Sequence, residues 1–144
     1  MSHYRANVRD IEFTLFELLE REGILERYPE LDRETASTIL GEVARLATER
    51  LGLPFAEADR NPPVFDPVAH AVTVPEGFSR AYQDYIDSDW WRLEAPEEYG
   101  GIPVPPSLRW AAAGPALGPQ PAIAVYASFG AFSPILHGLG TERE

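Results

Sequence analysis

The stretch from Trp90 to Gly101 constrains this chain more than any other, because it combines a large apolar anchor with residues that end a helix. The two adjacent tryptophans and Leu93 can bury a large apolar surface. Pro96 cannot continue a helix, and the paired glycines at the end of the stretch permit backbone angles closed to other residues. The stretch therefore predicts the end of an aromatic helix followed by a turn, with at least one tryptophan largely buried.

Two helices are predicted before this stretch, from apolar positions at helical spacing. The first runs from about residue 8 to 22, with Asn7 as its N-cap and Gly23 as its end. The second starts behind Asp32 and runs to about Leu51, where Gly52 ends it. Its polar side chains lie off the apolar stripe, which indicates a solvated face rather than a ligand site.

The segment from Leu53 to Pro75 is rich in proline and is predicted to contain no helix. Val64-Phe65 and residues 70–74 predict two short strands that pair as a hairpin across Asp66-Pro67. A third helix is predicted to start at Pro75-Glu76-Gly77, to have a buried aromatic face and to run into the tryptophans. The residues of this face are Phe78, Ala81, Tyr82, Tyr85 and Ile86.

Two further helices are predicted after the paired glycines. Ser107 is predicted to cap a helix that Gly114-Pro115 interrupts. The final helix is predicted to begin near Pro121 and is apolar or small on nearly every side, so its outer face is expected to be an exposed apolar patch. These elements predict a mostly α fold, a helical bundle with a short β-hairpin or an extended proline-rich segment.

Composition and charge exclude several functional classes. The net charge of −11 disfavours binding to nucleic acid or to an anionic membrane surface. The chain has no cysteine, so disulfides, thiolate catalysis and cysteine-based zinc sites are excluded. All 12 basic residues are arginine, which leaves no lysine for Schiff-base chemistry. No apolar run is expected to approach the roughly 20 residues of a membrane helix, no signal peptide is found, and the expected compartment is the cytoplasm.

No catalytic or metal-binding pattern is found in the sequence. His3, His70 and His137 are isolated from other potential ligands, so no metal site is predicted. Glu97 and Glu98 are adjacent carboxylates, but neighbours in sequence point apart, which argues against paired acid–base work. Nucleophile-elbow, phosphate-loop and dinucleotide-binding motifs are also missing from the sequence. The predicted list of catalytic residues is therefore empty.

Several separated segments resemble the acyl-CoA dehydrogenase family. Leu-x-x-Pro-Glu-Glu-Tyr-Gly-Gly at Leu93 to Gly101, after a tryptophan-rich helix end, resembles the signature of the family's N-terminal helical domain. Tyr4 to Leu19 resembles the N-terminal extension of a bacterial subgroup, and the proline-rich link with Val-Pro-Glu-Gly-Phe is similar to the same subgroup. The resemblance implies an N-terminal helical extension over 1–30 and a dehydrogenase-like helical domain, incomplete at its C-terminus, over 31–144.

Members of this family use FAD and a glutamate base to remove an α-proton and a β-hydride from a fatty acyl-CoA thioester. Their helical N-terminal domain is followed by a β-domain and a four-helix bundle, which supply most of the flavin site and the base. The resemblance covers only the first part. It therefore implies a portion of a FAD-dependent dehydrogenase that is not catalytic alone, carries no flavin alone, and has the remaining domains or subunits, or itself, as partner.

The resemblance also implies a position for the acyl chain of the substrate. In the family, the last helix of the N-terminal domain lies along the acyl tail, which here corresponds to Ile123, Tyr126 and Gly130 on one helical face. Ordinary core positions are the equal alternative for these three residues. A free-standing, non-catalytic interaction or acyl-binding module is the alternative function, although the final Thr-Glu-Arg-Glu resembles the start of another helix and favours a truncated chain.

Overall fold

The computed structural model describes residues 2–127 and 129–141 of the chain. Helix α1 spans Val8–Glu12 and continues as a π-helical turn over Phe13–Leu18. Asn7 caps α1 as predicted, since its Oδ1 accepts a hydrogen bond from the Asp10 amide. The predicted end at Gly23 is wrong, because Glu20 takes a left-handed backbone conformation (φ 48°) and Gly23 lies inside the short helix α2, Glu22–Leu25.

Helix α3 spans Arg33–Leu46 and continues as a π-helical turn over Ala47–Leu51, which confirms the predicted second helix. The Asp32 carboxylate accepts a hydrogen bond from the Thr35 amide at 2.7 Å, and Gly52 follows the last turn. This carboxylate satisfies one of the amides that a helix start leaves without an intrahelical partner. Five side chains of α3 are buried: Ala36, Ile39, Leu40, Val43 and Ala44.

The proline-rich segment contains one element that the sequence did not predict and one that it did. Helix α4 spans Phe55–Arg60, so the prediction of no helix in this segment is wrong. The hairpin is confirmed, with strand β1 over Val64–Asp66 antiparallel to strand β2 over Ala71–Thr73 and Phe65 opposite Val72. All six strand residues are exposed.

Helix α5 spans Glu76–Asp87 and follows Pro75 as predicted. It does not run into the tryptophans, because Asp89 adopts a left-handed conformation (φ 62°) that separates α5 from a 3-10 turn over Trp90–Leu93. Both tryptophans are only partly buried, whereas Leu93 retains 5% of its surface. Leu93 is therefore the most deeply buried apolar side chain of the stretch, and both tryptophans pack against the buried core. The expectation of a largely buried tryptophan stays a prediction.

A second 3-10 turn, Glu97–Tyr99, leads into the predicted glycine turn. Gly100 has φ 81°, a conformation that favours glycine, and its carbonyl oxygen accepts a hydrogen bond from Arg92 Nε at 2.6 Å. The Ile102 amide donates to the Arg92 carbonyl at 2.8 Å. The turn is thus closed on both sides by one arginine residue.

The last three helices are α6 over Pro106–Leu117, α7 over Pro121–Ala127 and α8 over Phe129–Leu139. The prediction that Ser107 caps α6 is wrong, because the helix begins at Pro106 and Pro105 occupies the N-cap position. The helix is not interrupted at Gly114-Pro115. Pro115 is buried inside the helix, where it provides no amide for the helical hydrogen-bond pattern. The predicted interruption is therefore wrong, and the predicted start of the final helical segment near Pro121 is confirmed.

The buried side chains form two clusters. The first joins α1, the loop before α3, α3 itself and α6, and it includes Leu15, Leu40, Leu93 and Leu108. Because Leu15, Phe16 and Leu25 belong to this cluster, the proposed 1–30 extension shares a core with the helices that follow it. The second cluster joins the turn after α3 to α5 and α7, and its buried members are Leu51, Phe78, Ala81, Tyr85, Ile123 and Ala127.

Candidate functional site

The second cluster positions helix α7 on one side of the molecule. Gly118 precedes α7 and contacts the Tyr4 ring so closely that a side chain at residue 118 would overlap it. The Gln120 carbonyl accepts a hydrogen bond from the Ile123 amide at 3.0 Å, and Pro121 occupies the first position of the helix, which suits a residue without an amide proton. These local features fix which side of α7 faces the core.

The three residues predicted along an acyl chain lie in different surroundings. Ile123 is 1% exposed and packs in the second cluster, whereas Tyr126 is 55% exposed. The Tyr126 ring meets the Phe78 ring edge-on, with 5.6 Å between their centroids. Gly130 lies in α8. Of the first two residues, only Tyr126 can therefore contact a ligand without rearrangement of the core.

Tyr126 borders an apolar groove between α4, the base of the hairpin and α7, which we call the hairpin groove. Its volume is about 360 Å³, in the range of small-molecule sites. Aromatic rings and prolines provide most of its walls. The lining residues are Phe55, Ala58, Asp59, Pro62, Pro63, Val74, Pro75, Phe78, Gln120, Pro121, Ala122 and Tyr126.

Gln120 is a lining residue that the sequence did not single out. It is 4% exposed, and its Nε2 has no hydrogen-bond partner among the described residues. A glutamine between two prolines gave no periodic signal, because its burial depends on packing that only the folded chain reveals.

Helices α7 and α8 present a large exposed apolar surface, which we call the α7–α8 face. It consists of Val125, Tyr126, Phe132, Ile135, Leu136 and Leu139, all of them more than half exposed. The exposure expected for the outer side of the final helix is confirmed for these residues. The side chain of Phe129 lies outside the described part of the chain.

A polar contact joins α8 to the turn before the paired glycines. His137 Nδ1 lies 2.7 Å from a carboxylate oxygen of Glu98, and the His137 ring meets the Tyr99 ring edge-on with 5.6 Å between centroids. Glu97 instead lines a separate groove with Tyr28. The two adjacent glutamates thus have different neighbours, as their positions in sequence predicted.

Residues Pro121–Leu139, 19 residues that contain α7 and α8, are long and apolar enough to cross a membrane by length and composition alone. The expectation that no apolar run approaches that length is therefore wrong. Core helices of soluble proteins meet the same criterion, but they are mostly buried, whereas only 15% of this stretch is, with Ile123 and Ala127 in the second cluster. The criterion by itself is weak evidence for a membrane span.

A partly buried carboxylate lies between the two clusters. Burial raises the pKa of Glu94, and the positive charge of Arg109 opposes that rise. Burial, followed by the charge of Glu94, also raises the pKa of Tyr85. These residues enclose a void of only about 10 Å³, close to the smallest space that holds a water molecule. The arrangement has no room for a substrate and indicates a structural role.

No group of three or more potential metal ligands occurs within residues 2–127 and 129–141. The hairpin groove has Asp59 as its charged lining residue. The groove beside Tyr28 contains Arg27 together with Glu30 and Glu97. These acidic linings do not suit the pyrophosphate of a dinucleotide.

Comparison with known proteins gives two relatives. The chain is 42% identical, over 146 aligned positions that include all of it, to the broad-specificity linear acyl-CoA dehydrogenase FadE5 of Mycobacterium tuberculosis. It is 30% identical over 104 positions, 71% of its length, to the 3-methylmercaptopropionyl-CoA dehydrogenase of Ruegeria pomeroyi. No protein-family model matches the chain.

The aligned regions make up 24% and 17% of these two proteins, so the chain spans about a quarter or less of their length. The alignment with the mycobacterial protein includes the helical N-terminal half, the hairpin and the final helices, since it covers the whole chain. The chain is therefore a homologue of the acyl-CoA dehydrogenases, and its coverage is consistent with an N-terminal portion of such an enzyme.

Proposed function

We propose that this chain is the N-terminal helical portion of a FAD-dependent acyl-CoA dehydrogenase and that its α7–α8 face is covered by the rest of the enzyme. The observation that carries the proposal is this face, on which six apolar side chains are each more than half exposed. Exposed apolar patches of this kind often mark interaction surfaces. The length of the relatives supports it, because the aligned part makes up only 24% of one relative and 17% of the other.

In this proposal the reacting groups are supplied by other parts of the enzyme. The net acidic linings of the hairpin groove and of the groove beside Tyr28 argue against a flavin site at either place, and the purified chain is expected to be colourless. The helical face of Ile123, Tyr126 and Gly130 borders the fatty acyl chain of the substrate. Tyr126 makes the direct contact, while buried Ile123 fixes the rotation of α7 about its axis.

The experiment supplies the remainder of the mycobacterial relative as a separate polypeptide and measures its capture by the chain. The wild type is expected to bind it. A Phe132→Glu, Leu136→Glu variant is expected to lose binding, because two charges would be buried in an apolar interface. Both replaced side chains are exposed, at 56% and 61%, so the variant should fold normally.

A Leu18→Glu, Trp110→Glu variant is the matched control, since these side chains are exposed to 65% and 63% and lie outside the α7–α8 face. It is expected to bind as the wild type does. Equal binding by the two variants would contradict the proposal that the α7–α8 face is the interface. A stoichiometric flavin spectrum of the dialysed chain alone would contradict the proposal that other parts of the enzyme hold the flavin. Binding of a fluorescent fatty acid by the chain alone, without capture of the remainder, would favour a free-standing acyl-binding module.

A further inference from the structure

Among the described residues, Gln120 is the buried residue whose side chain holds a polar atom without a hydrogen-bond partner. Its side chain is 96% removed from solvent, and its Nε2 has no hydrogen-bond acceptor among the described residues. A buried donor without an acceptor destabilises a folded protein, so native structures rarely keep one without a reason. The residue also lines the hairpin groove.

The groove beside Gln120 has the size and lining of a site for a small apolar group. Its volume of about 360 Å³ lies at the lower end of the range for small-molecule sites. Phe55, Phe78 and Tyr126 provide three aromatic rings, which favour a flat apolar group through offset or edge-on stacking. The site therefore suits a ligand with about one ring and a few further atoms.

The charge at the groove restricts the ligand further. Asp59 is exposed at its edge, and the whole chain carries a net charge of −11, so an anionic ligand is disfavoured. The free amide group is a donor and requires an acceptor. We propose that the hairpin groove binds a small, uncharged apolar molecule through a carbonyl oxygen that accepts a hydrogen bond from Gln120 Nε2. This proposal requires no acyl-CoA, flavin or further domain, although Tyr126 belongs both to the hairpin groove and to the proposed acyl-chain face.

Binding requires only a local change at Gln120. The terminal torsion of a glutamine side chain is broad, so the amide turns toward the groove without leaving its rotamer. The ligand carbonyl then pairs with the donor, while the ring of the ligand stacks in the apolar part of the groove. A ligand of the same shape without the oxygen would leave the donor unpaired and would bind more weakly.

The test compares acetophenone with ethylbenzene, which share a ring and a short side chain but differ in the carbonyl group. Each is titrated into isotopically labelled chain, and the nuclear magnetic resonance signals are followed. Acetophenone is expected to bind about threefold to tenfold more tightly, the range given by one net hydrogen bond. It should also shift the side-chain NH₂ signals of Gln120, whereas ethylbenzene should leave them nearly unchanged.

Gln120→Leu keeps a similar volume and removes the donor, so this variant is expected to bind the two compounds equally. Gln83→Leu is the matched control, because Gln83 is exposed and donates its amide to Asp87 at 2.8 Å, away from the groove. It should retain the preference for acetophenone. Equal binding of both compounds by the wild type, shifts confined to residues outside the groove, or no binding of either compound would each overturn the proposal.

Discussion

Gly101 lies so close to the Ala95 carbonyl that a β-carbon at residue 101 would overlap this backbone oxygen. Because the obstacle is main chain, it cannot rotate away as a flexible side chain would. Gly101→Ala is therefore expected to destabilise the fold by about 1–3 kcal/mol or more, through displacement of the Pro96–Gly100 turn. Chemical denaturation monitored by circular dichroism measures this loss.

Gly41 provides the matched control for Gly101. It lies within α3, and a β-carbon there meets nothing within 4 Å. Gly41→Ala is expected to stabilise the chain by about 0.5–1 kcal/mol, because alanine restricts the unfolded backbone and favours the helix. Destabilisation by both substitutions to the same extent would contradict the steric account of Gly101.

The raised pKa of Glu94 gives a pH dependence with a definite sign. Folding binds a proton more tightly at this carboxyl, because its pKa in the folded state lies above the unfolded value. Its contribution to stability is therefore present below the unfolded pKa and is lost as pH rises through the folded pKa. Glu94→Gln is expected to gain stability relative to the wild type as the pH rises above the ordinary pKa of a glutamate. Denaturation at a series of pH values measures this difference.

Asp32 provides a control of opposite sign. Hydrogen bonds from Thr35 lower its pKa, so its contribution to stability is present above the unfolded pKa and is lost as pH falls through the folded value. Asp32→Asn keeps a helix-capping side chain but removes this dependence. Relative to the wild type it is expected to lose stability with rising pH, and the same trend in both variants would contradict the two assigned causes.

At the residue scale, the sequence predicted the caps at Asn7 and Asp32 and the glycine turn, whereas the predicted helix end at Gly23 and the predicted cap at Ser107 are wrong. Asn7, Asp32 and the paired glycines act locally, so their roles follow from the residue and its neighbours. The burial of Ile123 and the exposure of Tyr126 depend on how α7 rotates against α5, which spacing along one helix does not determine. Gln120 is the extreme case, since a polar residue gives no sign of burial by itself.

At the scale of elements, proline was the least reliable guide. Helix α4 fits between Pro54 and Pro62, because residues 55–60 contain no proline even though the segment as a whole is rich in it. Helix α6 continues through Pro115, where packing of its buried residues outweighs one missing helical hydrogen bond. The hairpin was predictable because its alternating residues and its Asp-Pro turn are both local signals.

The hairpin turn depends on two side chains that can be varied separately. The Asp66 carboxylate accepts hydrogen bonds from the amides of Val68 and Ala69, at 2.8 and 3.0 Å. His70 has φ 49°, which costs a β-branched residue much more than an asparagine. His70→Val is expected to destabilise the hairpin by about 1–2 kcal/mol and to weaken the nuclear Overhauser contacts between Phe65 and Val72.

His70→Asn is the control for this prediction and should keep those contacts, because asparagine tolerates the left-handed conformation. Global stability is expected to stay nearly constant in both variants, since all six strand residues are exposed. Equal loss of the Phe65 to Val72 contacts in both variants would show that the His70 side chain itself, rather than its backbone, maintains the turn.

At the scale of the whole molecule, charge and apolar surface are segregated. The chain has 23 acidic residues against 12 arginines, yet residues 121–139 contain neither acidic residues nor arginine. The α7–α8 face is therefore an uncharged apolar surface on a strongly negative molecule. Apolar burial favours association of two such chains through this face, while their net charges oppose it.

This opposition predicts that self-association through the α7–α8 face increases with salt. Raising the salt concentration from about 20 mM to about 300 mM shortens the range of charge repulsion to less than about 10 Å, while apolar contact at the face persists. The wild type is expected to show a rising weight-average sedimentation coefficient over this range. Phe132→Glu, Leu136→Glu and Leu18→Glu, Trp110→Glu each add two negative charges, so repulsion grows equally in both variants. Only the Phe132→Glu, Leu136→Glu variant changes the α7–α8 face, so only this variant should abolish the increase. A wild type that stays monomeric at both salt concentrations and binds no hydrophobic dye would show that the face does not drive association.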